Sequence, residues 1–145
     1  MDDIDIHVDV MRAHERARVA AFYAGVGYGG GVGTGDRVFV SWRGECIAGV
    51  VRLCDEAGVT VLRGMHVDSA CQGRGIGRTL LARCLPDLDR RVAFCLPYAH
   101  LTGFYGAAGF TPVRPDALPD FLARRLHGYL EGGQNVVAML RVPLG

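Results

Sequence analysis

The run Val67-Asp-Ser-Ala-Cys-Gln72-Gly-Arg-Gly75-Ile-Gly77-Arg78 decides the fold. Ahead of it lies a β-rich stretch, Val59 to Val67. Behind it, Ile76, Leu80, Leu81, Cys84 and Leu85 fall on one stripe of a helix expected over Gly77 to Leu85, with Pro86 expected to stop it. The connecting loop carries glycines at 73, 75 and 77. Lacking Cβ atoms, they let several backbone N–H groups turn towards one anion, and the opening helix adds the positive end of its dipole. The stretch reads as strand, phosphate cradle and helix. A glycine-rich turn before a helix also serves as a plain tight connection, so the surrounding pattern has to choose between the two.

Gln72-x-x-Gly75-x-Gly77 resembles the pyrophosphate loop of the GNAT superfamily of acyl-CoA-dependent N-acyltransferases, and Val67 stands where that family ends its CoA-binding strand. Further on, Phe104-Tyr-Gly-Ala-Ala-Gly109-Phe110 resembles the family's second signature, an aromatic-Tyr-x-x-x-Gly-Phe stretch on the helix after the next strand. The resemblance spans residues 37 to 114 well and the two ends in outline. It implies an α/β fold: a mixed, mostly antiparallel central sheet of six to seven strands flanked by helices. The sheet would splay between 59–67 and 92–96 so that acetyl-CoA lies in the cleft.

The resemblance also implies roles. The backbone of Met65 and Val67 would pair with the pantetheine amides as an added strand does, and Gln72, Gly73, Arg74, Gly75, Ile76, Gly77 and Arg78 would hold the pyrophosphate. Backbone near Met65 would polarise the thioester carbonyl. Tyr105 matches the family tyrosine that protonates the leaving thiolate; its bland reading is a core aromatic on a helix stripe. Seven residues earlier, where relatives often carry an Asn contacting CoA, this chain has Tyr98, whose phenol is left to make that contact. A neutral amine would attack directly, with no covalent acyl-enzyme.

By period two, Val61, Arg63, Met65 and Val67 share one strand face, the face that in the family looks towards the acceptor. Relatives often place a Glu or His base there; this chain offers Val61 and Arg63, so no protein base is identified. Water is the expected proton acceptor, with His100 the side-chain candidate. His66 is expected on the opposite face as a core or surface histidine. Arg63 needs an anion, supplied either by Glu45 or Asp55 at the hairpin turns or by a carboxylate on the acceptor.

Composition narrows the field. At 145 residues, 50% hydrophobic, the chain suits one domain over residues 1 to 145. A net charge of +1, with 16 basic and 15 acidic residues interspersed, favours neither nucleic acid nor an anionic membrane as partner. Every one of those basic residues is Arg, which excludes a Walker lysine and a Schiff-base lysine. The cysteines at 46, 54, 71, 84 and 95 lack C-x-x-C spacing and the five histidines are scattered, so reduced structural thiols and no metal are expected. Met1-Asp-Asp-Ile-Asp-Ile opens without a basic region and long apolar run, and a soluble cytoplasmic protein is expected.

The remaining elements follow from periodicity. Ile4 to Val10 alternates as an opening strand, and His14 to Ala24 reads as a helix. It dissolves into Gly25 to Gly35, where seven of eleven residues are glycine, expected as a mobile loop or a lid on the acceptor pocket. Val38 to Trp42, Cys46 to Leu53 and Val59 to Val67 form an antiparallel meander. Val92 to Leu96 is a strand, and Leu101, Phe104, Tyr105 and Ala108 line a helix ended by Gly109. A helix over Ala117 to Glu131, with Leu118, Phe121, Leu122, Leu126, Tyr129 and Leu130 inward, precedes a last strand from Asn135 to Val142.

Competing chemistries are weaker. Gly25-x-Gly27-x-x-Gly30 follows a helix and leads into more glycine, unlike a dinucleotide loop. Ser41 and Ser69 are the only serines and neither sits in a nucleophile elbow. Cys95 with His100 is conceivable as a cysteine hydrolase, yet Cys95 falls inside an apolar strand. The expected function is transfer of an acetyl group from acetyl-CoA to a small-molecule primary amine, with an amino-acid-like acceptor suggested by Arg63. A protein N-acetyltransferase and a non-catalytic acyl-CoA sensor are the alternatives. A homodimer is left open.

Overall fold

A computed structural model describes residues 5–144. Ile4, at the head of the expected first strand, lies outside them. The strands are β1 (Ile6–Val10), β2 (Arg37–Arg43), β3 (Cys46–Glu56), β4 (Val59–Val67), β5 (Ala93–Cys95), β6 (Thr111–Pro112) and β7 (Met139–Arg141). They form one sheet of order β1-β2-β3-β4-β5-β7-β6 in which only the β4–β5 pairing is parallel. Four α-helices flank it: α1 (Arg16–Gly25), α2 (Ile76–Leu88), α3 (Thr102–Gly106) and α4 (Asp120–Glu131). This is the expected mixed, mostly antiparallel α/β architecture.

Alternation along each strand sends side chains to two cores. Phe39, Val51, Leu62, Ala93, Cys95 and Met139 pack with Leu80, Leu81 and Cys84 of α2 and with Tyr105 of α3. On the other face, Val38, Val40 and Val50 meet Val19 and Tyr23 of α1, while Val61 and Phe94 meet Leu122 and Leu126 of α4. Thus α2 and α3 cover one face, and α1 and α4 the other.

Several boundaries differ from expectation for physical reasons. Pro86 does not stop α2, which runs on to Leu88. A proline so near the end removes a single helical hydrogen bond, and complete burial of Leu88 returns about 1.5–3 kcal/mol. The β3–β4 hairpin turns on Ala57 and Gly58 alone, both at positive φ, so β3 reaches Glu56 instead of ending at Leu53. Leu130 points outwards, 47% exposed, and the last strand shortens to β7. Ahead of it, Val136 makes only an isolated bridge with Tyr98. The two-residue β6 escaped the pattern; its Pro112 is tolerated because β6 is an edge.

Two irregularities shape the centre. Val61 pairs with Phe94, and no register with β5 continues beyond it, so one side of β4 from Leu62 to Val67 diverges from β5. The sheet therefore splays there. Between β3 and β4, Val50 faces His66 but Arg52 faces Arg63, leaving one extra residue on β4. This is a β-bulge at Gly64 and Met65, with Gly64 at φ 67°. No described helix is long and apolar enough to cross a membrane.

Candidate active site

The loop before α2 has the form a phosphate ligand needs. Gly73 and Gly75 take φ of 83° and 77°, a region costly for residues with a Cβ, and Gly75 is the N-cap of α2. The first helical hydrogen bond runs from the Thr79 N–H to the Gly75 carbonyl at 3.0 Å, leaving the N–H groups of Ile76, Gly77 and Arg78 without a helical acceptor. A cavity of about 170 Å³ lies over them, walled by Val67, Gln72, Gly73, Gly75, Gly77 and Arg78 among others. Gly77 is needed for a second reason: a Cβ there would sit 3.2 Å from the Phe104 ring. Ile76 itself is buried, so it offers this cavity only its backbone. Arg74 and Arg78 are both exposed, but only Arg78 lines the cavity.

A second cavity, about 370 Å³, passes through the splay. On the α2–α3 face its wall includes Met65, Cys95, Leu101 and Tyr105; on the α1–α4 face it includes Tyr28, Arg63, His66, Arg125 and Tyr129. Tyr98 stands at this wall, 50% exposed, stacked against His100 at 6.0 Å. His100 is exposed and does not line the cavity.

The bulge corrects the face assignment on β4. Val61 and Arg63 do share a face, but the extra residue turns Met65 and Val67 to the α2 side, where they pack with the Leu62 core. It also turns His66 to the Arg63 side, where its ring lies 4.9 Å from Tyr28 and 6.1 Å from Tyr23. His66, expected to be a bystander, lines the cavity. Burial holds its pKa below the usual histidine value, so it is neutral near pH 7. The signal was present in the sequence: an isolated glycine inside a strand pattern, Gly64, marks a bulge.

Tyr105 is buried, with its ring edge-on to Phe104 and Phe110. Burial raises its phenol pKa, aided by the nearby thiols of Cys95 and Cys84, so the hydroxyl keeps its proton at neutral pH. Thiols in this core respond alike: burial pushes the Cys84 thiol up to about 12 and raises that of Cys95. A buried low-reactivity thiol, with His100 exposed and outside the cavity, gives no cysteine nucleophile at Cys95.

The glycine loop is tethered at several points, one of them a hydrogen bond from Arg16 NH2 to the Gly33 carbonyl at 3.1 Å. Arg52, 2% exposed, donates to Asp36 Oδ2 at 2.6 Å and to the Tyr28 hydroxyl at 2.5 Å. The Tyr23 hydroxyl donates to the Gly64 carbonyl at 2.8 Å, fixing the bulge from below. Arg63 finds neither Glu45 nor Asp55; its NH1 lies 3.7 Å from Oε2 of Glu56.

The family model for the acetyltransferase (GNAT) domain matches residues 34–112, more than half of the chain and all of the stretch that builds both cavities' β4–α2–α3 wall. The chain belongs to the GNAT acetyltransferase family. It is an acyltransferase, and solved structures place the same fold on it from end to end. A GNAT-family acetyltransferase from Streptococcus pneumoniae superposes with a TM-score of 0.73 at 13% identity, covering 97% of this chain and 100% of that one. An acyl-CoA N-acyltransferase from Pseudomonas aeruginosa gives 0.70 at 19%, covering 95% and 99%. N-acetylglutamate synthase from Neisseria gonorrhoeae, complexed with coenzyme A and N-acetyl-glutamate, gives 0.70 at 16%, covering 99% of this chain and 36% of that one. No curated protein matches the sequence.

Proposed function

We propose that this acetyltransferase moves an acetyl group from acetyl-CoA to a primary amine of a small molecule by direct attack. The observation that carries the reading is adjacency: the cavity at the splayed edge of β4 is lined by Met65, His66 and Tyr105, and the α2 cradle by the neighbouring residues along the same two elements, Val67 and Phe104. The chemistry of the cradle fits a pyrophosphate, because three N–H groups without helical acceptors and a helix dipole face one small concavity. The gonococcal synthase, whose complex holds coenzyme A, is consistent with that fit. Residues 72–78 hold the pyrophosphate, and the unpaired side of β4 at Met65 and Val67 receives the pantetheine amides. Helix α4 and the loop that follows α1 wall the acceptor end, which suits a small molecule better than a protein tail.

Bound acetyl-CoA supplies an activated thioester whose carbonyl carbon takes the amine and releases thiolate. His66, neutral and facing the cavity, takes the proton from the nitrogen; Tyr105 delivers one to sulfur. A raised phenol pKa does not disqualify Tyr105. Apolar surroundings that disfavour phenolate disfavour a thiolate as well, so the raised phenol pKa does not by itself oppose the transfer. Tyr98 takes the CoA contact at the cleft mouth.

The test is thiol release from acetyl-CoA across a panel of amines. Tyr105→Phe should lower kcat about 10²-fold with acetyl-CoA affinity unchanged. In wild type, kcat/KM should rise with pH through a pKa below the ordinary histidine value, and His66→Gln should abolish that limb. Unaltered rates in a chemistry-limited assay for both variants would refute the assignment.

A further inference from the structure

The acceptor cavity has an unusual charge inventory. Its wall carries two guanidinium groups, Arg63 from β4 and Arg125 from α4, and no Asp or Glu. The carboxylate beside both, Glu56 at the end of β3, is committed to Arg125 by two parallel bonds, NH2 to Oε1 at 2.7 Å and NH1 to Oε2 at 3.2 Å. The hydrogen bonds to Glu56 raise the pKa of Arg125, and its guanidinium lies 5.6 Å from the Phe121 ring centre. It is spoken for on both sides. Arg63 approaches the same Oε2 only at 3.7 Å, beyond hydrogen-bond reach. One carboxylate between two guanidiniums leaves a charge of +1, located on Arg63, whose side chain is 29% exposed.

We propose that the acceptor is an amine bearing a carboxylate and that Arg63 reads that carboxylate. The inference rests on the N-acetyltransferase reading and adds the substrate class. A guanidinium in a half-buried cavity offers a planar fork of donors that a carboxylate can take up in pairs. Arg125 engages Glu56 through both oxygens, which leaves the Arg63 fork without a hydrogen-bonded carboxylate. The same inventory works against polyamines. A spermidine-like acceptor brings several positive charges to a wall that is already +1 and has no free acid to receive them. Tyr129 and Gln134 line the same wall and add no carboxylate to it.

The decisive experiment compares free amino acids, their carboxamides and spermidine as acceptors, by acetyl-CoA-dependent thiol release, in wild type, Arg63→Gln and Arg63→Lys. Thermal melts confirm that each variant is folded. Wild type should favour acids over the matching amides. Arg63→Gln should raise KM for acids about tenfold or more beyond any rise for amides, with kcat for acids little altered, since the lost contact is made equally before and during reaction. Arg63→Lys should recover part of the preference, having the charge without the fork. Equal use of acids and amides in wild type, equal losses in Arg63→Gln, or a preference for spermidine would overturn the inference while leaving the N-acetyltransferase reading intact. Thiol release with no amine at all, in a protein that still binds acetyl-CoA, would overturn both.

Discussion

Asn in place of Asp36 removes one charge and almost no volume from the network that pins the glycine loop. Asp36 accepts from Arg52 at 2.6 Å and from the Gly33 N–H at 2.7 Å, with the two side chains of the ion pair only 10% and 3% exposed. Breaking one side of a buried pair costs about 3–5 kcal/mol, because the surviving charge stays desolvated. Here the loss is softened. The Tyr28 hydroxyl still receives Arg52 NH2, and the Asn oxygen still accepts hydrogen bonds, so a loss of about 2–3 kcal/mol is expected. Urea unfolding followed by Trp42, the single tryptophan and itself buried, reads it directly. The pH dependence gives an independent check. Burial alone would raise the Asp36 pKa, but hydrogen bonds from Arg52 and Gly33 outweigh it and hold the group below its ordinary value. A depressed folded pKa stabilises the protein above the unfolded value, about 3.9, and that contribution disappears as pH falls through the folded one. Asp36→Asn should therefore be destabilised at neutral pH and lose part of the wild-type acid limb. A loss below about 0.5 kcal/mol with an unchanged acid limb would mean that the pair is solvent-screened and that the loop is not anchored through it.

Two further substitutions probe backbone geometry. Ala57 holds φ of 52° in the β3–β4 turn, where a residue with a Cβ carries roughly 1–2 kcal/mol of strain; Ala57→Gly should relieve part of it and raise the unfolding midpoint, as measured by calorimetry. At Gly77, a Cβ would press on Phe104 at 3.2 Å, so Gly77→Val should cost about 1–3 kcal/mol in stability and weaken acetyl-CoA binding, measured by melting with and without ligand.

The sheet and its helices were legible because period-two and period-three-to-four patterns persist through β2 to α2, and because Gly73 and Gly75 mark positive φ and Gly77 a close approach to Phe104 in the loop that joins them. The acceptor side was harder to read. Gly64 carries a bulge that exchanges the faces of Met65 and His66, and a strict alternation rule run through it put the wrong histidine in the background. Arg125 shares the inward stripe of α4 with Leu122 and Leu126, yet its partner Glu56 lies 69 residues away in sequence, a pairing that no local pattern encodes. His100, the side-chain candidate for the amine proton, sits in the three-residue turn Ala99–Leu101, stacked on Tyr98, exposed and away from the cavity wall.

Acetyl-CoA binding through the α2 cradle is the central claim, and a ligand-induced melting shift compared between wild type and Gly75→Asp tests it most directly. Gly75 has open space where a Cβ would lie, so the substitution costs only the strain of its positive φ and should leave a folded protein. The added carboxylate meets the phosphates with like charge. At a hundredfold excess over its dissociation constant, acetyl-CoA should stabilise wild type by about 2.7 kcal/mol and leave folded Gly75→Asp unshifted. A wild-type shift retained in full by Gly75→Asp would contradict the account.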